Sequence, residues 1–81
     1  MDLLELTETI IKSLVKNTEN IEVKEVVEKN DLIEILVKVD EADMSNIIGR
    51  EGRVINAIRT LIQEASSLRD NKYVKIEIEK F

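Results

Sequence analysis

The sequence predicts a two-layer α+β domain, with helices covering one face of a three-stranded sheet in the order helix, strand, strand, helix, helix, strand. Three observations predict it. Apolar residues recur at three- and four-residue steps near the start of the chain and again beyond Gly52, the helical period. They alternate at every second position from Leu32 to Val39 and again after Tyr73, the strand period. The two glycines, Gly49 and Gly52, lie close together in a chain without proline, which marks one sharp corner. An apolar helix stripe and an apolar sheet face bury each other in such a layered arrangement.

The first helix is expected from Asp2 to about Asn17. Leu3, Leu6, Ile10 and Leu14 form its stripe, widened by Leu4, Ile11 and Val15. Asp2 with Glu5 resembles a capping pattern, and Lys12 and Lys16 suit the negative end of the helix dipole. Barely two heptads are too few for a coiled coil, so the stripe is a core face. From Ile21 to Glu28 the pattern becomes strand-like. Ile21, Val23 and Val27 share a face, and Val26 falls off it, which points to a bulge or a local twist. Lys29-Asn30-Asp31 is a turn signal. In the next run Ile33, Ile35, Val37 and Val39 face one way, and Leu32, Glu34, Leu36 and Lys38 the other. The two runs make an antiparallel hairpin.

Asp40 is placed to cap a short second helix from about Glu41 to Ile48, with Ala42 or Met44, Ile47 and Ile48 facing inward. Gly49 sits where a helix stops in a left-handed C′ conformation. The third helix starts after Gly52 and continues to about Leu68, on Val54, Ile55, Ile58, Leu61, Ile62 and Ala65. Asp70-Asn71 breaks the chain, and Tyr73 to Phe81 forms a last strand with Val74, Ile76 and Ile78 inward.

The 81 residues suffice for one domain, 1–81. A chain this short buries only about 60% of its unfolded surface, so self-association would help it. Cysteine and histidine are absent, which removes disulfides, thiolate metal sites, the commonest zinc ligand and the commonest general base. No catalytic residue, metal or cofactor is expected. Asp40 with Asp43 fits helix capping, Glu77 with Glu79 the solvent face of a strand, and the serines have no histidine to activate them. No basic segment precedes an apolar run, and no apolar stretch is long enough to span a membrane, so the expectation is a cytoplasmic protein with no membrane partner. The net charge of −5 argues against nucleic acid unless a local patch reverses it.

Such a patch exists. Between Gly49 and Thr60, Arg50, Arg53 and Arg59 outnumber Glu51. The first turn of the third helix carries amides without intrahelical partners and the positive end of a dipole, a natural seat for phosphate. A Gly-x-x-Gly alone is usually only a turn; its position between two helices, flanked by isoleucines and arginines, is what points to nucleic acid.

The run Ile47-Ile48-Gly49-Arg50-Glu51-Gly52-Arg53-Val54-Ile55-Asn56-Ala57-Ile58 resembles the hallmark of the KH family, Ile-Ile-Gly-x-x-Gly-x-x-Ile-x-x-Ile, at every defined position. The extra helix and strand ahead of the core resemble the bacterial type II order. Size and the Gly-Arg-Glu-Gly-Arg segment are similar to small stand-alone bacterial KH proteins of the KhpA type. The resemblance implies a groove for about four unpaired nucleotides of single-stranded RNA, clamped by the Gly-x-x-Gly loop. By position Gly49, Arg50, Glu51 and Gly52 would form the clamp, and Arg53 would stand at the head of the third helix. Ile48, Ile55 and Ile58 match groove-floor or core positions, and Arg59 lies on the exposed side of the third helix. A strand of the sheet would supply the opposite wall. Glu51, an anion inside the clamp, should weaken binding.

Tyr73 and Phe81 are the only aromatics, too few for a base-stacking platform of the RRM, OB or cold-shock kind. Tyr73 is expected to close the sheet edge. The resemblance implies an RNA chaperone or post-transcriptional regulator with no small-molecule substrate. The competing reading is an interaction module that pairs with itself or with a larger Jag-type KH protein, through the third-helix side around Thr60, Gln63, Glu64 and Ser67.

Overall fold

The alternation in the two central runs produces the expected hairpin. In the computed structural model, which describes residues 2–81, β1 (Ile21–Glu28) pairs antiparallel with β2 (Leu32–Val39), from Ile21 opposite Val39 to Glu28 opposite Ile33. The Lys29 amide donates to the Leu32 carbonyl at 2.8 Å and closes the turn. Register shifts between Glu25 and Val27, so Val26 has no partner in the ladder and remains 45% exposed. This is the bulge that its off-face position predicted.

The third strand, β3 (Tyr73–Lys80), pairs with the other side of β2 in parallel, from Leu32 opposite Tyr73 to Val39 opposite Lys80 without interruption. A parallel partner cannot follow by a tight turn and needs a crossover. Here the crossover is α2 (Met44–Ile48) and α3 (Arg53–Arg69), with 3₁₀ turns at Glu41–Asp43 and Arg50–Gly52. The sheet order β1-β2-β3 leaves β3 at an edge. With α1 (Leu3–Leu14) the chain order is helix, strand, strand, helix, helix, strand, as the periodicities predicted.

The core lies between the sheet and the three helices. Ile33, Ile35, Val37 and Val39 of β2 are all buried, and so are Ile55, Ile58 and Ile62 of α3, Ile47 of α2 and Ile76 of β3. α1 sits rotated from its expected face: its innermost line is Leu3, Thr7 and Ile11, while Leu6 and Ile10 are half-buried and Leu14 is 37% exposed. Thr7 is tolerated inside because its hydroxyl donates to the Leu3 carbonyl at 2.7 Å.

α1 also ends at Leu14 rather than near Asn17. Val15 turns to extended geometry to bury its side chain, and the next two amides leave the helix for another acceptor: Lys16 N–H donates to Asp43 Oδ1 at 3.0 Å and Asn17 N–H to Asp43 Oδ2 at 3.1 Å. At the N-terminus Asp2 caps as expected, accepting from the Glu5 amide at 2.8 Å. α3 stops where Asp70 and Asn71 both donate their amides to the Ser66 carbonyl, at 2.8 Å each, with Asn71 in a left-handed conformation (φ 53°).

Candidate nucleic-acid interface

The corner between α2 and α3 is built by two different glycine conformations. Gly49 has φ 74° and ψ 177°, and Gly52 has φ 75° and ψ 15°. Only Gly52 is left-handed helical; the left-handed geometry expected at Gly49 is replaced by a positive-φ extended one that is essentially confined to glycine. The difference has a packing cause. Val54 lies directly against the Gly49 α-carbon, and a β-carbon there would come within 2.8 Å of Val54 Cβ. The chain therefore turns tightly, with the Gly49 amide bonded to the Ser45 carbonyl at 2.9 Å and the Gly52 amide to the Gly49 carbonyl at 3.3 Å.

Between the glycines, Arg50 and Glu51 stand in solvent, and Glu51 is itself left-handed (φ 57°, ψ 24°). Gly52 cannot cap α3 with a side chain, so the first-turn amides and the dipole's positive end are uncapped by any side-chain hydrogen bond. Glu51 lies 3.7 Å from Arg53 with both side chains about three-quarters exposed (74% and 78%), a pair that solvent screens heavily. Arg50 forms no ion pair among the described residues.

Beyond the loop, α3 and the free edge of β3 enclose an open groove of about 700 Å³. One lip is Arg59, Thr60, Gln63 and Glu64 of α3; the other is Val74, Lys75, Ile76 and Glu77 of β3. β3 is thus the strand that faces α3 across the groove. Arg59 Nη2 donates to the Ile76 carbonyl at 3.3 Å, and the Val74 amide donates to Gln63 Oε1 at 2.9 Å.

The structure keeps Gly49, Arg50, Glu51, Gly52 and Arg53 together at the corner that opens α3 and puts Arg59, further along the same helix, on the lip of this groove; Arg53 also borders a second groove, between α1 and α3. Ile48, expected to face inward, does not: Ile47 takes the core position and Ile48 is 38% exposed beside the loop. A five-residue helix turns only one narrow face to the core, and Ile47 fills it. Ile55 and Ile58 are core residues, 6% and 2% exposed. Leu61, also expected inward, is 58% exposed, and the polar Ser66 lies inside instead, its hydroxyl donating to the Lys72 carbonyl at 2.8 Å. Thr60, Gln63 and Glu64, read as a partner-binding side, line the groove. Tyr73 does not close the sheet edge but is 71% exposed.

One functional support had no local signal. Asp43 is buried to 1% exposure, and besides the Lys16 and Asn17 amides it accepts from Asn17 Nδ2 at 2.9 Å and Asn46 Nδ2 at 3.4 Å. It ties the end of α1 to the start of α2, the helix that leads into the loop. The Lys16 amide, with Asn17 and Asn46 adding to it, holds the carboxyl below its ordinary value against the opposing effect of burial. Its two main-chain partners, Lys16 and Asn17, are 27 and 26 positions away, so nothing near Asp43 in the sequence pointed to them. Among the described residues, no cluster of three or more acidic side chains is placed to hold a metal, and no helix is long and apolar enough to cross a membrane.

Two helices joined by a glycine-cornered loop over a mixed three-stranded sheet, in this chain order, define a type II KH domain. The family model for the KhpA/KhpB KH domain matches residues 5–78. A relative from Clostridium perfringens, called RNA-binding protein KhpA, is 42% identical over 74 residues, 91% of this chain and 96% of its own length. One from Caldanaerobacter subterraneus is 43% identical with the same coverage, and one from Chlamydia trachomatis is 46% identical over 69 residues, 85% of this chain and 86% of its own. Among solved structures, Era in complex with MgGDPNP and nucleotides 1506–1542 of 16S ribosomal RNA superposes with a TM-score of 0.73 at 22% identity, over 96% of this chain and 29% of that one. The chain belongs to the KhpA/KhpB KH-domain family.

Proposed function

We propose that this chain is a non-catalytic RNA-binding protein. It holds about four nucleotides of single-stranded RNA between α3 and the β3 edge, with residues 49–52 clamping the sugar-phosphate strand. The observation that carries the reading is the start of α3 at Gly52, uncapped by any side chain and flanked by Arg50 and Arg53, on the same helix whose Arg59 borders the groove. Phosphates lie against backbone amides at the corner, and bases lie along the groove. Ile48 flanks the strand beside the loop; Ile55 acts from beneath, as part of the floor. The relatives named as RNA-binding proteins support the same reading. A small module that grips unpaired RNA without cutting it fits an RNA chaperone or post-transcriptional regulator working in the cytoplasm, with no cofactor and no small-molecule substrate.

The test is a binding titration with single-stranded RNA at several salt concentrations, comparing the wild type with R50D/E51D. The double variant puts two anions where phosphate would sit, and aspartate tolerates the left-handed position at least as well as glutamate. The expected result is loss of binding with an unchanged melting curve. Undiminished affinity in a folded double variant would refute the clamp.

A second reading is favoured by a specific surface. α1 and α3 leave between them a largely apolar groove of about 440 Å³, lined by Ile10, Leu14, Val54, Ala57 and Leu61 together with Arg53. Leu61 and Leu14 are exposed there at 58% and 37%. A second copy of this chain, or a larger Jag-type KH protein, would cover it. This groove shares no lining residue with the one between α3 and β3, but Arg53 borders it, so pairing and RNA binding meet at the head of α3.

A further inference from the structure

The groove between α3 and β3 does not run freely along the strand. Gln63 interrupts it. Its Oε1 accepts from the Val74 amide at 2.9 Å, and its Nε2 donates to the Lys72 carbonyl at 3.0 Å and to Ser67 Oγ at 3.1 Å. The carboxamide therefore presents to the strand edge one acceptor and one donor, the complement that the edge of a base would present. On the far side of Gln63 lies a second hollow of about 260 Å³, lined by Gln63, Ser67, Asn71, Lys72 and Tyr73. Gln63 is the one residue that lines both hollows.

The contact one helical turn nearer the glycine loop is of a different kind. Arg59 is exposed and reaches the Ile76 carbonyl through a single 3.3 Å bond, which an incoming base or phosphate displaces at little cost. Gln63 is half-buried and held by three bonds. From Gly52 to Gln63 the helix advances about 16 Å, at about 1.5 Å per residue.

We infer that Gln63 is the end stop of the RNA track: its carboxamide occupies a base position on the β3 edge and walls off the hollow beside Tyr73. This rests on the RNA-binding reading above and adds to it a residue that sets how many nucleotides the groove accepts. Removing the side chain joins the two hollows and brings one more base to the exposed Tyr73 ring.

The experiment compares wild type and Q63A for binding to random-sequence single-stranded RNAs of about three to about eight nucleotides, the range spanning one KH footprint. Tyr73 is the only tyrosine and there is no tryptophan, so intrinsic fluorescence reports on this ring alone. Affinity of the wild type should level off at the shorter length, with Tyr73 emission unchanged by RNA. For Q63A the plateau should come about one nucleotide later and about fivefold tighter, the scale of one base stacked on an aromatic ring, with Tyr73 emission quenched. Q63A/Y73A should return to the wild-type plateau. Identical length dependence in wild type and Q63A overturns the inference, as does Tyr73 quenching in the wild type, a reading that needs no variant to fold. Wild type that binds none of these RNAs overturns the underlying RNA reading instead.

Discussion

Val54 packs against the bare α-carbon of Gly49: a methyl group there would lie 2.8 Å from Val54 Cβ and 2.9 Å from Val54 N. At Gly52 the same methyl group would meet only Asn56 Nδ2 at 3.8 Å and Ile55 Cγ2 at 3.9 Å. The two glycines of one motif are therefore required for different reasons.

Gly49→Ala should be the more damaging substitution, by about 3 kcal/mol or more, because overpacking and a glycine-only backbone geometry add together. Gly52→Ala should cost about 1–2 kcal/mol, the left-handed penalty alone, and Gly52→Asn less. Urea denaturation of the three variants checks the order; equal losses at both positions would contradict it.

Asp43 should make the domain sensitive to acid. Its folded pKa is lowered, chiefly by the Lys16 amide, from an ordinary value of 3.8. Its contribution is then fully present above about pH 4 and is lost as pH falls through the folded pKa. Asp43→Asn should destabilise at neutral pH, and the gap to wild type should narrow below pH 4. Melting temperatures at pH 7, 5, 4 and 3 measure this; a constant gap would show that the carboxylate charge does not matter.

Glu51→Gln removes the anion from the clamp and keeps the side-chain length. RNA affinity should rise about threefold at low salt and by less at about 0.3 M, where the Debye length is shorter than at physiological salt. Filter binding at two salt concentrations gives the answer.

Leu61→Glu puts a charge into the apolar α1–α3 groove at a position already 58% exposed. The fold should survive with less than about 0.5 kcal/mol lost, as for other surface changes. Any self-association seen by sedimentation in the wild type should disappear, with RNA affinity per chain retained.

Much of this fold was legible because side-chain period is a local property. The β2 alternation, the bulge at Val26 and the Asp2 cap each depend on neighbours within a few residues. The glycine corner was legible for the same reason, and the KH hallmark from Ile47 to Ile58 named the loop directly. What was not legible depends on distant pairing. That β3 forms the opposite lip follows from its parallel register with β2, which no single segment encodes. Asp43 read as a helix cap because its real partners, Lys16 and Asn17, arrive from another helix. Ile48 and Leu61 read as core because apolar residues at helical spacing look alike whether they face the sheet, the loop or an outer groove. Thr7 and Ser66 escaped notice for the converse reason: each is buried with its hydroxyl bonded to a backbone carbonyl.

The most direct measurement is amide chemical-shift mapping of the wild-type protein as single-stranded RNA is added. The account predicts that the largest changes fall on Gly49 to Arg53 and along the groove at Arg59, Val74 and Ile76, with β1 nearly silent. Perturbations centred on β1 or on the outer sheet face, with the glycine corner unmoved, would contradict it.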